Sequence, residues 1–220
     1  METFSGDIFG QAINIELGDL AAKSCDACIV PQFDSCVSGA GVGGAMIRAG
    51  AEKGMRAYQN HLDTHGGKLN FGEACLTSSG GGKAKYLLHV VSVDSGVENE
   101  FSTVQKAVFN ALLQAQKRGV KTIAAPALGT GALGTLTPAQ SAKAMMSAIS
   151  QFAKGSGRFD KISLVIHDSA ALQHEFAKVL EDKSYESAVP EAGRKPFDFK
   201  GWAAHVQTAF FGDSARGGRR

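Results

Sequence analysis

The segment PALGTGALG, residues 126–134, contains the glycine spacing G-x-G-x-x-G at positions 129, 131 and 134. The same spacing occurs upstream in SGAGVGGAMIRAG, residues 38–50, where it begins at Gly39. Each segment follows an apolar run typical of a β-strand and precedes a run with helical periodicity. Glycine at a strand end lets backbone N–H groups approach a phosphate, and the helix N-terminus adds partial positive charge. The pair predicts two loops that close on one diphosphate from opposite sides; the alternative is that the glycines serve only tight turns.

The order of the elements around these loops predicts the fold. Helical periodicity occurs at 42–58, 101–116 and about Ser169–Leu180, and Thr137-Pro138-Ala-Gln140 has the sequence of a capping box that opens a further helix. Strands that are apolar on both faces and joined through helices indicate a sheet covered on both sides. We therefore predict an α/β fold, a three-layer α/β/α sandwich with a mostly parallel mixed sheet of about six strands. The strand candidates are Ala12–Glu16, Ala27–Val30, Glu73–Thr77, Tyr86–Val93, Thr122–Ala125 and Ile162–His167.

Length and composition suit a soluble globular protein. The chain has 220 residues, of which 44% are apolar and 20% are charged, and its formal net charge is +2. No apolar run approaches the ~20 residues of a membrane span, and the first residues, METFSGDIFG, lack the features of a signal peptide. These properties argue against a membrane protein and against a strongly basic nucleic-acid-binding surface. We expect a cytoplasmic protein, and the sequence leaves its oligomeric state open.

A change in composition near ESAVPEAGRKP, residues 186–196, separates the end of the chain from the rest. We predict one domain over residues 1–185 and a linker plus C-terminal extension over residues 186–220. Within the extension, FDFKGWAAHVQTAFF has the pattern of a short amphipathic helix, followed by a polar tail. Such a segment either packs on the domain as a strap, frays as a tail, or binds a partner.

The cysteines and histidines do not indicate a metal centre. Only Cys25-Asp-Ala-Cys28 has metal or redox spacing, and a zinc ribbon needs a second such pair. The pair runs into the apolar strand ACIV instead of opening a helix, so we expect buried structural thiols. The six histidines show no ligand spacing such as H-E-x-x-H. We predict no metal site.

The context of the glycine segments argues against two common nucleotide folds. A Rossmann fold places an acidic residue about 20 positions after the glycines, at the end of the second strand. At that distance from Gly39 the chain offers Asp63, which no strand precedes, and after Gly129 the region 147–151 lies inside a helix pattern. The chain also lacks the G-x-x-x-x-G-K-[ST] sequence of a P-loop, so nucleoside triphosphate hydrolysis lacks its lysine.

Over roughly Ile13 to Leu180 the chain resembles the macro domains. The similar segments occur in the family's order: ELGDL, DACIV, GAGVGGAMIRAG, GEACLTS, YLLHVVSV and AAPALGTGALG. Each segment alone is a weak match, whereas their joint occurrence identifies the chain as a member of the family. The resemblance implies a site for ADP-ribose, which is a ligand, and it implies no cofactor.

The resemblance also implies roles for individual residues. Asp19, beside Leu20, would accept a hydrogen bond from the adenine amino group and would also be the N-cap of a short helix at Leu20–Ser24. His167 matches a position that often places an aromatic side chain against the adenine; the alternative is a structural histidine. The glycine segments would hold the diphosphate and the adjacent ribose through Gly39, Gly41, Val42, Gly43, Gly129, Thr130, Gly131, Ala132, Leu133 and Gly134.

The first glycine segment is preceded by a departure from the family pattern. Hydrolases of the family commonly carry Asn-Ala-Ala-Asn where this chain has PQFD, residues 31–34, so the second Asn maps to Asp34 or, without a one-residue gap, to Phe33. The usual acid, histidine and second-loop aromatic are replaced by Gly43, Ile47 and Leu133. Loss of a positioned acid–base group typically costs ~10²–10⁴-fold in rate. Holding a diphosphate needs only backbone, so we expect binding to survive better than hydrolysis.

Three hypotheses for the function follow. The first is a reader that binds ADP-ribose, free or attached to a macromolecule, without efficient turnover. The second is a hydrolase of ADP-ribosyl esters or of ADP-ribose 1″-phosphate that uses the Asp34 carboxylate or the substrate phosphate in place of the missing groups. Asp34 would orient the water in that case; otherwise it bonds the ribose hydroxyls or begins a turn. The third keeps only the fold, with another nucleotide or a protein partner. The sequence does not define what the ADP-ribose is attached to.

Overall fold

One mixed sheet forms the centre of the molecule. The computed structural model describes residues 2–92, 100–132, 134–155 and 157–187, and in this part of the chain the sheet has seven strands. They are β1 (Thr3–Ile8), β2 (Gln11–Leu17), β3 (Cys25–Gln32), β4 (Ala74–Ser78), β5 (Ala84–Val91), β6 (Thr122–Pro126) and β7 (Lys161–Ile166). Their order across the sheet is β1-β2-β7-β6-β3-β5-β4. The edge strands β1 and β4 are antiparallel to their neighbours, and the five inner strands are parallel.

The structure has one strand more than the six candidates in the sequence, and the additional strand is β1. Its sequence, TFSGDI, lacks a regular apolar alternation, and most of its residues are exposed or half-exposed. A two-residue turn at Phe9 and Gly10, both with positive φ, joins β1 to β2, and Asp7 accepts a hydrogen bond from the Gly10 N–H. Such a turn matches the twist of a hairpin. Pairing with β2, rather than burial of its own side chains, therefore makes this segment a strand.

Helices cover both faces of the sheet, which confirms the α/β/α sandwich. They are α1 (Gly41–Met46), α2 (Glu52–Thr64), α3 (Glu100–Lys117), α4 (Pro138–Lys154) and α5 (Ala170–Asp182). Helices α3, α4 and α5 pack against one another, and α1 and α2 pack on the cluster that contains Val30 and Leu87. The predicted capping box is present at the start of α4, where the Thr137 hydroxyl accepts from the Gln140 N–H.

The segment 42–58 is interrupted instead of forming the single helix that its periodicity predicts. A π-helical turn, Ile47–Ala51, lies between α1 and α2, and Gly50 inside it has φ +95°. A Cβ on Gly81 would lie 2.6 Å from the Gly50 carbonyl oxygen, so the two backbones are in contact. The helix is interrupted because Gly50 has a left-handed φ, which favours glycine, and because its carbonyl lies where Gly81 has no room for a side chain.

The parallel strands direct their carboxyl ends to one edge of the sheet. The segments that follow β2, β3, β6 and β7 therefore lie at the same edge, where ligands bind in open α/β sheets. Within the described residues, no helix is long and apolar enough to cross a membrane. The predicted C-terminal helix and most of the linker lie outside the described residues, as does the last residue of the predicted strand Tyr86–Val93.

Candidate functional site

Asp19 lies at the end of β2 and caps the turn that follows. Its Oδ1 accepts a hydrogen bond of 2.9 Å from the Ala21 N–H, at the start of the 3₁₀ helix Leu20–Ala22. The predicted N-cap is thus confirmed, with a shorter helix than expected. Asp19 is exposed, and its Oδ2 has no hydrogen-bond partner among the described residues, whereas Leu20 is buried. A carboxylate oxygen that accepts only is therefore free at this strand end, beside an apolar side chain.

His167 follows β7, the strand that is paired with β2. Leu17 and Ile166 are register partners, and the Gly18 N–H donates to the Ile166 carbonyl, so Asp19 and His167 leave neighbouring strand ends. His167 is exposed, and the next residue, Asp168, has the left-handed φ of +50°. The structure therefore brings these two predicted adenine contacts to the same part of the sheet edge.

The first loop, residues 33–40, leads from β3 into α1. A Cβ on Gly43 would lie 2.2 Å from the Ser38 carbonyl oxygen, and a Cβ on Gly44 would lie 2.5 Å from that of Gly39. The loop backbone thus folds directly over the first turn of α1, and side chains at these two positions would displace it. Gly39 and Gly41 have open space where a Cβ would stand, and Gly41 has φ +53°. Val42 is half-buried and packs against the core, which leaves its backbone for contacts at this edge.

The second loop, residues 127–136, follows β6. Its base is closed because the Leu136 N–H donates to the Gly129 carbonyl oxygen, and a Cβ on Gly134 would lie 2.1 Å from that same oxygen. The tip of the loop is open: Gly131 and Ala132 are exposed, and Thr130 donates its hydroxyl back to the Ala127 carbonyl. Leu133 lies outside the described residues. The second loop is therefore a closed turn whose tip offers backbone groups to solvent.

The two loops leave adjacent strands. Ala27 and Cys28 of β3 are the register partners of Ile123 and Ala124 of β6, and these two strands are parallel. Both loops follow the carboxyl ends of their strands, so they stand side by side at the same edge. The strand pair β2 and β7 continues the sheet directly beyond β6. The two glycine segments therefore lie close enough along the sheet to take part in one site, and that they do so stays a prediction.

Buried polar side chains that the sequence analysis does not single out support both loops. Glu100, the first residue of α3, accepts from the N–H and the hydroxyl of Thr135 through its Oε2. Ser141 of α4 donates its hydroxyl to the Leu128 carbonyl. Gln32, at the end of β3, accepts from the Ser38 N–H. The sequence signal for Gln32 is a polar residue that closes an apolar strand, and its contacts cannot be derived from that pattern.

Asp34 is the only acid in the first loop. It is half-buried; its Oδ1 accepts from the Ser35 hydroxyl at 2.9 Å, and its backbone carbonyl accepts from the Leu69 N–H. Ser35 and Cys36 are exposed, and the first loop holds no histidine or second acid that would act as a base toward either of them. The loop therefore has one carboxylate and no acid–base pair.

The cysteine pair at the start of β3 is a packed pair of free thiols. The Sγ atoms of Cys25 and Cys28 are 3.4 Å apart, with Cys28 buried and Cys25 half-buried. The hydrogen bond with Cys28 lowers the pKa of the Cys25 thiol, whereas the same bond and burial raise the pKa of Cys28. Among the described residues, no group of three or more His, Cys, Asp or Glu side chains is placed to hold a metal ion.

Comparison with known proteins agrees with this geometry. The Macro domain family model matches residues 10–146. A Thermotoga maritima protein is 35% identical over 127 residues, which are 57% of this chain and 21% of that longer protein. An Enterobacter protein named O-acetyl-ADP-ribose deacetylase is 30% identical over 163 residues, which are 73% of this chain and 89% of the relative.

A solved structure shows the same fold. A mutant of the Oceanobacillus iheyensis macrodomain with ADPR superposes with a TM-score of 0.74 at 19% identity, covering 83% of this chain and 99% of that chain. The family match spans more than half of the chain and includes β2, β3, β6 and both loops. The chain therefore belongs to the macro domain family.

Proposed function

We propose that this protein binds ADP-ribose, free or attached to a macromolecule, and hydrolyses its ligand slowly or not at all. The observation that carries the proposal is the position of the two loops at the ends of the adjacent strands β3 and β6, each closed by glycines that tolerate no side chain. Backbone N–H groups in such loops suit a diphosphate. Macrodomain relatives described with ADPR or named for ADP-ribose chemistry support the same ligand class.

We assign the adenine and the two riboses to groups that lie on the loops or beside them. The free Oδ2 of Asp19 would accept from the adenine amino group, with Leu20 below the base and the exposed ring of His167 stacked on it. The tip of the second loop, residues 130–132, would face the diphosphate and the adjacent ribose. The first loop would then face the distal ribose. This order along the sheet edge follows the order of the strands β2, β7, β6 and β3.

Hydrolysis is the weaker part of the function because the site lacks an acid–base pair. Gly43 and Ile47 stand where the resemblance would place an acid and a histidine, and neither side chain moves a proton. Asp34, the acid of the first loop, is the candidate base. The second candidate function, a hydrolase that uses Asp34, is favoured by the Enterobacter relative that is named a deacetylase. The expected rate is lower by ~10²–10⁴-fold than with a positioned acid–base group.

Calorimetric titration with ADP-ribose tests the binding. We expect saturable heat at one site. Asp19→Ala should weaken binding. Asp160→Ala should leave it unchanged, because Asp160 is an exposed residue that precedes β7, at the opposite end of the strand from His167. A thermal melt gives a second readout, since a ligand at 100 times its dissociation constant adds about 2.7 kcal/mol. If millimolar ADP-ribose gives neither heat nor a shift in Tm, the proposed ligand is wrong and only the fold is shared with the family.

Incubation with a mono-ADP-ribosylated protein separates binding from hydrolysis. We expect retention of the modified protein with little release of ADP-ribose over hours. Rapid release that Asp34→Ala abolishes would support the hydrolase instead. Rapid release that Asp34→Ala leaves unchanged would show that Asp34 is not the catalytic group.

A further inference from the structure

Gln32 is a buried polar side chain that joins the two ends of the first loop. It is the last residue of β3 and is 4% exposed. Its Oε1 accepts from the Ser38 N–H at 2.7 Å, and its Nε2 donates to Nδ1 of His89 at 3.3 Å. The side chain thus spans from the strand before the loop to the residue where the loop turns toward α1.

The hydrogen bonds of His89 determine which atom donates and which accepts between Gln32, His89 and Thr77. An amide NH₂ only donates, so Nδ1 of His89 accepts from Gln32, and Nε2 carries the proton and donates to Thr77 Oγ1 at 2.8 Å. The Thr77 hydroxyl then donates to the Gly54 carbonyl of α2. Burial lowers the pKa of His89 to about 3, which keeps the ring neutral as this arrangement requires. Gln32 is therefore held in one orientation by the core.

A second ring extends this support to the loop itself. Tyr58 of α2 is fully buried and stacks on His89 with ring centroids 4.6 Å apart, and its hydroxyl donates to the Phe33 carbonyl at 2.9 Å. Farther along the loop, the Leu69 N–H donates to the Asp34 carbonyl at 2.8 Å. Two consecutive residues at the loop entrance, Gln32 and Phe33, are thus fixed by two stacked rings.

We propose that Gln32 is the positioning residue of the first loop, and that its bonds to Ser38 and His89 hold the loop in the conformation that contacts the distal ribose of ADP-ribose. This inference rests on the proposed function, in which that ribose faces the first loop. The common family sequence has alanine at the position of Gln32, and a methyl group cannot make these bonds. The loop of this chain therefore depends on a side-chain clamp.

The pair of ligands ADP and ADP-ribose isolates the first loop. Both carry the adenine and the diphosphate, and only ADP-ribose carries the distal ribose. A variant that merely weakens the fold lowers both affinities together. A variant that loosens the first loop lowers the affinity for ADP-ribose more than that for ADP, because only ADP-ribose places a distal ribose against this loop. The ratio of the two dissociation constants therefore reports on the loop.

The experiment is calorimetry with both ligands on the full chain and on Gln32→Met, which keeps the volume and removes both hydrogen bonds. We expect the affinity for ADP-ribose to fall about tenfold and that for ADP to change less than about twofold, as for the loss of a buried hydrogen-bonding partner. The matched control is Gln11→Met. Gln11 is equally buried and bonds Phe159 through both its amide atoms, at the opposite end of β2 from Asp19.

Tyr58→Phe decides the question if Gln32→Met does not fold. It removes the bond to the Phe33 carbonyl and keeps the stacked ring, so we expect a smaller drop confined to ADP-ribose. An unchanged affinity ratio in the folded variants overturns the inference, and so does a wild-type protein that binds ADP and ADP-ribose equally. If the wild-type protein binds neither ligand, the proposed function fails first, and the inference fails with it.

Discussion

The two glycine loops occupy equivalent places at the ends of adjacent strands and are held in different ways. The second loop is closed by its own backbone, with the Gly129 carbonyl against Gly134 and Leu136, and it is braced from behind by Glu100. The first loop is held at its entrance by the side chains of Gln32 and Tyr58. The second loop resembles the family pattern in its glycines and departs from it at Leu133, whereas the entrance of the first loop, PQFD, departs from the pattern throughout. The closed turn leaves no room for a side chain at Gly134, whereas the entrance of the first loop depends on the side chains that hold it.

Under the proposed function, this difference would separate ligand binding from turnover. The second loop would hold the diphosphate through its main-chain N–H groups. Positioning a distal ribose and a water requires side chains in the first loop, and there PQFD has replaced the family's asparagines. The chain therefore retains the part of the site that depends on glycine and has changed the part that depends on functional groups.

The largest effect is expected for Gly134→Ala in the second loop. The new Cβ would lie 2.1 Å from the Gly129 carbonyl oxygen, which is backbone and cannot move aside without opening the loop. Overpacking of this kind costs up to about 3 kcal/mol, and we expect affinity for both ADP and ADP-ribose to fall about 100-fold. Calorimetry measures both. The control is Gly155→Ala at the end of α4, where the Cβ makes ordinary contact at 3.4 Å, and full binding by Gly134→Ala would contradict the role of the closed turn.

A smaller effect is expected for Glu100→Ala, which removes the brace behind the second loop. The N–H and hydroxyl of Thr135 would lose their acceptor, and loss of such a partner costs about 1–3 kcal/mol of stability. In the proposed site the second loop faces the part common to both ligands, so we expect the affinities for ADP and ADP-ribose to fall by the same factor, about tenfold. Urea unfolding and calorimetry measure the two effects.

The matched control for Glu100→Ala is Glu52→Ala. Glu52 is likewise the first residue of a helix, but its side chain is 62% exposed and, within the part of the chain that the structure describes, pairs only with Arg56 of the same helix. A surface pair of this kind contributes well under about 1 kcal/mol, so neither stability nor affinity should change noticeably. A loss limited to ADP-ribose in Glu100→Ala would mean that the brace acts on the first loop, and the proposed division between the loops would be wrong.

Acid should destabilise the protein through His89, the buried neutral ring that supports the first loop. Its pKa is near 6.5 in the unfolded chain, and burial lowers it to about 3 in the folded protein, with the positive charge of His61 acting in the same direction. Between these values the unfolded chain binds one more proton, so the free energy of unfolding falls as pH decreases from about 6.5 to 3. The slope from this group is at most about 1.4 kcal/mol per pH unit.

His89→Gln removes that titration and keeps an amide able to accept from Gln32. Urea unfolding between pH 7 and pH 4 should show a shallower acid loss in the variant than in the wild-type protein. His174→Gln is the control, because it makes the same substitution at an exposed position on α5. Equal slopes in the wild-type protein and His89→Gln would show that the buried ring is not the source of acid sensitivity.

The sequence predicts the sandwich well because its inner strands and helices carry strong local signals. The capping box at Thr137 and the glycine spacings specify backbone conformations directly, and each occurs where expected. The strand β1 gives no such signal, since it exists by pairing with β2. The roles of Gln32 and Glu100 cannot be predicted from the sequence either. Their partners Ser38, His89 and Thr135 are brought to them only by tertiary packing.

The smallest effect on binding is expected for Asp34→Asn in the first loop. The amide keeps an oxygen that accepts from the Ser35 hydroxyl, so the loop retains its shape, while the negative charge of the side chain is removed. We therefore expect the affinity for ADP-ribose to change by less than about threefold, because a half-exposed charge acts weakly. Any change should be toward tighter binding, because the ligand is itself negatively charged. Any slow release of ADP-ribose from a modified protein should fall by about 10²-fold or more if Asp34 is its base. A large loss of affinity would instead show that the Asp34 carboxylate is a ligand contact, and the first loop would then bind through a charged side chain as well as through the conformation that Gln32 imposes.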